Sequence, residues 1–226
     1  MSGKTTVAVL GCGGLGVPAA WTLALDARHR LVLIDDDQVE ISNLHRQILY
    51  RSADIGMPKA ERLAAALREV EPSLEIEVRP GRLSPHNAGE MLRGCDAVIE
   101  GTDDAGSKFA VNDLVIGGRG PKIASIAAAI GRRGQWMVVR QNGPCYRCLF
   151  EEPPPAESLA TCQIAGVLGP AVGQLGALAA RSLLAVLDGR ADPADGALVR
   201  LTARGILRTA VAAAGDCRCQ GQLAEV

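Results

Sequence analysis

Aromatic side chains are nearly absent from this sequence, with two Phe, two Trp and two Tyr in 226 residues. The hydrophobic content of 48% must therefore come from Ala, Val, Leu and Ile, which suit a layered interior of strands and helices. An excess of either charge is also missing. The formal net charge is -1, which removes the bulk electrostatic case for nucleic acid or an acidic membrane surface as partner. No unbroken apolar run of membrane-spanning length stands out. Met1–Lys4 passes directly into strand-like Thr5–Leu10, which does not read as a secretory leader. The expected location is the cytoplasm.

Glycine is abundant, at 26 residues, without the period of a fibrous chain. Cysteine is the other surplus, and the seven residues include two close pairs, Cys145/Cys148 and Cys217/Cys219. In a reducing compartment such pairs more often bind metal than form disulfides.

Apolar patterning divides the first half into alternating strands and helices. Strands are expected at Thr5–Leu10, Leu31–Ile34, Leu74–Val78, Ala97–Ile99 and Lys122–Ala128. Helices are expected at Gly14–Leu25, Lys59–Glu71, Pro85–Arg93 and Gly106–Ile116, and Pro72 stops the second of them. Such alternation requires crossover connections and a mostly parallel sheet with helices on both faces, a Rossmann-like α/β fold. After Gly131 the pattern changes to a strand at Gln135–Arg140, a Pro-rich loop at Glu151–Ser158, a long apolar helix at Ile164–Leu187 and a closing hairpin at Ala197–Thr202 and Ile206–Val211. The expectation is one domain over 1–226, with a nucleotide-binding half (1–130) and a second half (131–226) that ends in an antiparallel extension.

Between the first strand and first helix lies Gly11-x-Gly13-x-x-Gly16, with Gly14 inside it. In that context glycines permit a tight turn and bring backbone N–H groups to a phosphate at a helix N-terminus. Asp35, at the end of the second strand, suits ribose hydroxyls. These features fit ATP and NAD equally. The next stretch carries Asn43 and Arg46, with Lys59 beyond. A dinucleotide needs little cationic charge beyond the helix terminus, whereas a triphosphate needs more.

The run Asp35-x-Asp37-x-Val39-x-x-Ser42-Asn43-Leu44-x-Arg46-Gln47 closely resembles the signature of the ThiF/MoeB/HesA family, bacterial relatives of ubiquitin-activating enzymes. The resemblance continues through Gly56-x-x-Lys59-Ala60, Gly101-Thr102-Asp103, Pro144-Cys145-x-x-Cys148 and Ala165–Pro170. It implies an adenylyltransferase that uses ATP and Mg²⁺ to activate the C-terminal Gly-Gly carboxylate of a small β-grasp carrier protein. A sulfur donor protein and a second copy of the chain are further partners it suggests. By resemblance Asp35 holds the ribose, Asn43, Arg46 and Lys59 contact the phosphates, and Asp103 holds Mg²⁺. Asp37, Ser42, Gln47 and Asp104 complete the nucleotide-binding set. Asp103 or Asp104 is alternatively the N-cap of the following helix.

The resemblance also implies a structural Zn²⁺ site of four thiolates, Cys145, Cys148, Cys217 and Cys219, closed to substrate. The second pair is C-x-C where the family has C-x-x-C. Cys162 stands where some relatives carry a cysteine that links covalently to the carrier. A small buried residue is the equal alternative there. Family members usually have helices before the glycine-rich strand that supply an arginine to the partner's ATP site. No counterpart is read here, and Lys4, Arg132 and Arg133 are the candidate substitutes. Two other functions compete: an NAD-dependent oxidoreductase, which leaves Arg46, Lys59 and the cysteine pairs unexplained, and a non-catalytic carrier-binding protein, which leaves Asp103 without a purpose.

Overall fold

The computed structural model describes residues 4–154, 166–215, 217 and 219. One continuous sheet of eight strands runs through them in the order β3-β2-β1-β4-β5-β6-β7-β8. Strands β1 (Thr6–Leu10), β2 (Arg30–Asp35), β3 (Ile76–Pro80), β4 (Ala97–Glu100) and β5 (Ile123–Ile130) pair in parallel. Strands β6 (Arg133–Arg140), β7 (Ala197–Thr202) and β8 (Gly205–Ala210) then add antiparallel, as the closing extension was expected to do. Among the described residues the α-helices are α1 (Gly16–Asp26), α2 (Lys59–Val70), the short α3 (Ala88–Met91), α4 (Ala105–Ile116) and α5 (Gly169–Leu187).

Strand alternation decides which helix covers which face. On β1, Val7 and Val9 pack with Leu23 of α1, Leu63 of α2 and Leu183 of α5. Their neighbours Ala8 and Leu10 pack on the opposite face with Leu92, Phe109 and Val111, on the side of α3 and α4. Burial on both faces explains why the central strands read as continuous apolar runs. A third apolar cluster joins Trp136, Val138 and Val199 to Leu175 and Ala179, so α5 also closes the antiparallel half. By length and composition α5 could cross a membrane, contrary to the sequence expectation, but half of its apolar window is buried inside the protein.

Two helices are shorter than the pattern implied. Pro85–Arg93 yields only the four residues of α3, because Asn87 Oδ1 accepts from Ser84 N at 2.7 Å and holds the preceding residues in a turn. The long apolar helix begins at Gly169 rather than Ile164. Gly166 and Leu168 are diverted to backbone hydrogen bonds with Gly131, in the β5–β6 connection.

Patterning did not reveal one buried interaction. Glu100, wholly buried at the end of β4, pairs with Lys108 of α4. Lys108 Nζ also donates to Thr102 O and Ala127 O, each at 2.8 Å. Burial pushes the Glu100 carboxyl above its ordinary range, against the pull of the neighbouring ammonium. The pair ties β4, β5 and α4 together beneath the 101–104 loop. Lys108→Met would leave a buried carboxylate unpaired, at a cost of about 3–5 kcal/mol. Chemical denaturation is expected to show that loss, and a variant as stable as the parent would contradict it.

Candidate functional site

The parallel strands end on one side of the sheet, and the loops that follow them enclose a cavity of about 1800 Å³. This is the edge at which open α/β sheets bind ligands. The glycine turn forms its inner wall. Gly11 has φ +87°, a conformation that other residues rarely adopt, and a Cβ on Gly16 would lie 1.7 Å from Gly11 O. The chain must therefore reverse closely before α1 begins.

Asp35 holds this turn in place. Its two carboxylate oxygens accept from Cys12 N at 2.5 Å and Asp37 N at 2.8 Å. Burial raises its pKa, while those two N–H groups and nearby Lys59 oppose the rise. Each oxygen keeps capacity for a further donor such as a ribose hydroxyl. Tyr50, which sequence reading passed over, donates to Cys12 O at 2.8 Å and lies 3.1 Å from Lys59 O. It joins the glycine turn to the start of α2.

The 42–47 segment forms the next wall. Asn43 and Gln47 are buried, and Asn43 Oδ1 and Gln47 Oε1 have no hydrogen-bond partner among the described residues. Both side chains line the cavity, and unpaired buried acceptors favour a ligand that donates to them. Ser42 O accepts from Arg46 Nη1 at 3.0 Å, and Ser42 Oγ donates to Glu40. Arg46 lies beside Gly14. Lys59 is buried and held by Asp37, with Nζ 2.6 Å from Oδ2. An arriving phosphate would therefore meet an ammonium already shared with a carboxylate.

The loop after β4 separates the two neighbouring acids. Asp104 caps α4, with Oδ2 accepting from Ser107 N at 2.7 Å and from Ser107 Oγ at 2.8 Å, and Arg82 lies 3.5 Å from Oδ1. Its carboxyl is held below the ordinary range by these contacts, against its partial burial. Asp104 thus takes the cap that either acid could have supplied, and it also lines the cavity. Asp103 is exposed and faces the cavity, the arrangement a cation ligand needs.

Lys4 pairs with Glu75 at 2.9 Å, at the N-terminal end of the parallel strands and away from this chain's own cavity. Arg133 lines the cavity and Arg132 does not. Gln135, Arg200 and Arg204 line it as well. Nothing in the local pattern marked these three, because only the antiparallel pairing carries β6 and β7 to this wall.

The four expected cysteines do converge, although they come from residues 145–148 and the end of the chain. Their sulfurs all lie within 4.8 Å of one another. Cys145 Sγ is 3.9 Å from Cys148 Sγ and 3.5 Å from Cys217 Sγ, and Cys148 Sγ is 3.3 Å from Cys219 Sγ. Asn112 of α4 anchors the first pair, accepting from Tyr146 N at 2.8 Å. Cys12 and Cys95 are buried and stand apart from this group. Cys162 lies outside the described residues.

Comparison with known proteins bears on this geometry. The ThiF family model matches residues 3–220. The adenylyltransferase and sulfurtransferase MOCS3 of Drosophila sechellia is 40% identical over 197 residues, covering 87% of this chain and 43% of its own length. The MOCS3-1 protein of Zea mays is 37% identical over 197 residues, covering 87% and 42%. The chain thus spans less than half the length of these relatives. Among solved structures, E. coli MccB with ATP superimposes with a TM-score of 0.83 at 18% identity, covering 96% of this chain and 68% of that one. PaaA gives a TM-score of 0.69 at 17% identity, with 92% and 73% covered. These two similarities bear on the fold alone. The family match over almost the whole chain, with the glycine turn, the 35–47 run and the cysteine group in place, makes this protein a member of the ThiF family.

Proposed function

We propose that this chain uses ATP and Mg²⁺ to adenylate the C-terminal Gly-Gly carboxylate of a small β-grasp carrier protein, serving sulfur transfer into a cofactor or metabolite. The observation that carries the reading is the cavity, which gathers the glycine turn, Arg46, Lys59 and an uncommitted Asp103 at the ends of the parallel strands. Relatives named as adenylyltransferases and sulfurtransferases support it. So do solved structures of MccB with ATP and with MccA, which share the fold.

The chemistry asks little acid–base work of the protein. A carboxylate oxygen of the tail attacks the α-phosphorus, the bond to the bridging oxygen breaks, and pyrophosphate leaves. Rate comes from in-line placement and from neutralising the negative charge on both reactants. The backbone N–H groups at the glycine turn and Asp35 orient the nucleotide. Arg46 and Lys59 supply positive charge, with Lys59 exchanging part of its bond to Asp37 for phosphate oxygen. Asp103, exposed to the cavity, would hold Mg²⁺, which would supply further positive charge to the phosphates. NAD chemistry would leave that second wall of cations and the acid opposite it without a role.

ATP–pyrophosphate exchange tests the reading. Exchange is expected only with Mg²⁺ and a carrier ending in Gly-Gly, and Asp103→Ala should lower it about 100-fold or more while circular dichroism stays unchanged. Protein that binds ATP but exchanges with no Gly-Gly carrier would overturn the adenylation reading. Full exchange in the Asp103→Ala variant would remove the Mg²⁺ assignment.

The cysteine group is read as a structural Zn²⁺ site. Tetrahedral zinc with bonds of about 2.3 Å places its sulfurs about 3.8 Å apart, close to the 3.3–3.9 Å separations of the thiols. The C-x-C pair, one residue shorter than C-x-x-C, therefore still fits. Four protein ligands leave no open position, so the site ties the chain's end to α4 and takes no part in the reaction. Elemental analysis of the purified protein is expected to give one zinc per chain. Cys145→Ser should lose that zinc and lower the melting temperature, whereas stoichiometric zinc in the variant would exclude Cys145 as a ligand.

A further inference from the structure

The antiparallel strands bring Arg200 and Arg204 to the cavity, whose lining also includes Glu152. The floor at this end is the sheet itself. Register places Gln135 beside Ala128, Arg200 beside Gln135, and Leu207 beside Arg200. These four residues form a row on one face, crossing from β5 to β8, and all line the cavity. Every residue of β7 except Arg200 is at least partly covered. Arg204 follows in the β7–β8 turn and lines the same end.

Neither arginine has an ion-pair partner among the described residues, whereas Arg140, also from the antiparallel half, pairs with Asp195 at 2.9 Å. Arg200 Nη2 donates to Thr209 Oγ1 at 3.0 Å, which fixes the guanidinium over β8 and leaves its other N–H groups available. Leu207 beside it is 55% exposed. An aliphatic surface next to an unpaired guanidinium suits a peptide side chain that carries a carboxylate on a short apolar stem.

Distance separates this end from the phosphates. From β1, whose end carries the glycine turn, to β7 is four strand spacings, about 19 Å. From β4, whose end carries Asp103, it is three spacings, about 14 Å, which an extended peptide covers in about four residues. We propose that Arg200 and Arg204 select the substrate tail by binding an acidic side chain at the fourth or fifth position from its C-terminus. This rests on the adenylation reading for which tail enters the cavity, and it adds that this segment of the carrier is acidic. Apolar contact with Leu207 and the Tyr146 and Phe150 rings, which also line the cavity, holds the backbone. Arginine supplies the discrimination, since a lysine brought to the same place would face two unpaired cations.

Binding of labelled octapeptides to the full chain tests this without requiring catalysis. Three fluorescent peptides ending in Gly-Gly would carry Glu, Ala or Lys at the fourth and fifth positions from the C-terminus. Fluorescence anisotropy is expected to show the Glu peptide binding at least about tenfold more tightly than the Lys peptide. The double variant Arg200→Glu, Arg204→Glu should reverse that order. Arg208→Glu should preserve it, because Arg208 lies on the other face of β8 and donates to Pro193 O at 2.9 Å. Circular dichroism establishes that each variant folds. Equal binding of the three peptides, no binding of any, or an unchanged Glu preference in the double variant would overturn the proposal. Pyrophosphate exchange with a Gly-Gly carrier stands separately. Exchange with no charge preference overturns only the arginine assignment, and a charge preference without exchange overturns only the adenylation reading.

Discussion

The site depends first on one carboxylate. Asp35, at the tip of β2, accepts from the backbone of the glycine turn after β1 and from the backbone of its own loop. Two neighbouring strand ends are thereby held at a fixed separation, and the N-terminus of α1 is aimed between them. Without that clamp the turn at Gly11–Gly16 would have no fixed relation to the 36–47 segment, and the two walls of the cavity would move independently. Keeping a carboxylate in this half-buried place costs desolvation, which its raised pKa reports. The two N–H groups and the nearby Lys59 ammonium offset that cost.

The opposite wall depends on a buried ion pair. Glu100 and Lys108 sit where β4, β5 and α4 meet, and the Lys108 ammonium also holds the carbonyls of Thr102 and Ala127. The effect is to shape the 101–104 loop from below. Asp104 is then taken up as the cap of α4, and Asp103 is turned outward into the cavity. Two adjacent aspartates thus acquire different roles from one local constraint. One acid steadies the helix start, and its neighbour stands exposed in the cavity.

The change from parallel to antiparallel pairing at β6 gives the cavity its second half. Three further strands extend the floor sideways and carry Gln135, Arg200 and Leu207 across it. The cysteine group ties the end of the chain back to α4 beside this extension. The glycine turn and the two arginines are therefore parts of one surface, spaced by strand separation.

Much of the nucleotide half could be read directly from residue order. The glycine turn, Asp35 and Lys59 sit at strand ends and a helix start, where local sequence rules apply. Apolar runs located every central strand, because burial on both faces leaves no alternation to confuse them. The choice between Asp103 and Asp104 could not be made that way, since either spacing permits a cap and only the course of the loop picks one. The pairing of Lys4 with Glu75 was equally hidden, since only the strand order brings the start of β1 near the residues before β3. Glu100 and Lys108, eight residues apart, became partners only when β4 and α4 packed. Arg200 and Arg204 reached the cavity through pairings between strands more than sixty residues apart. Sequence alone marked the glycine turn and the 35–59 run, because each is a local pattern of residue types at a strand end or helix start. The tertiary structure decided which charges face the ligand and which are spent within the fold, because that depends on which distant strands share a face.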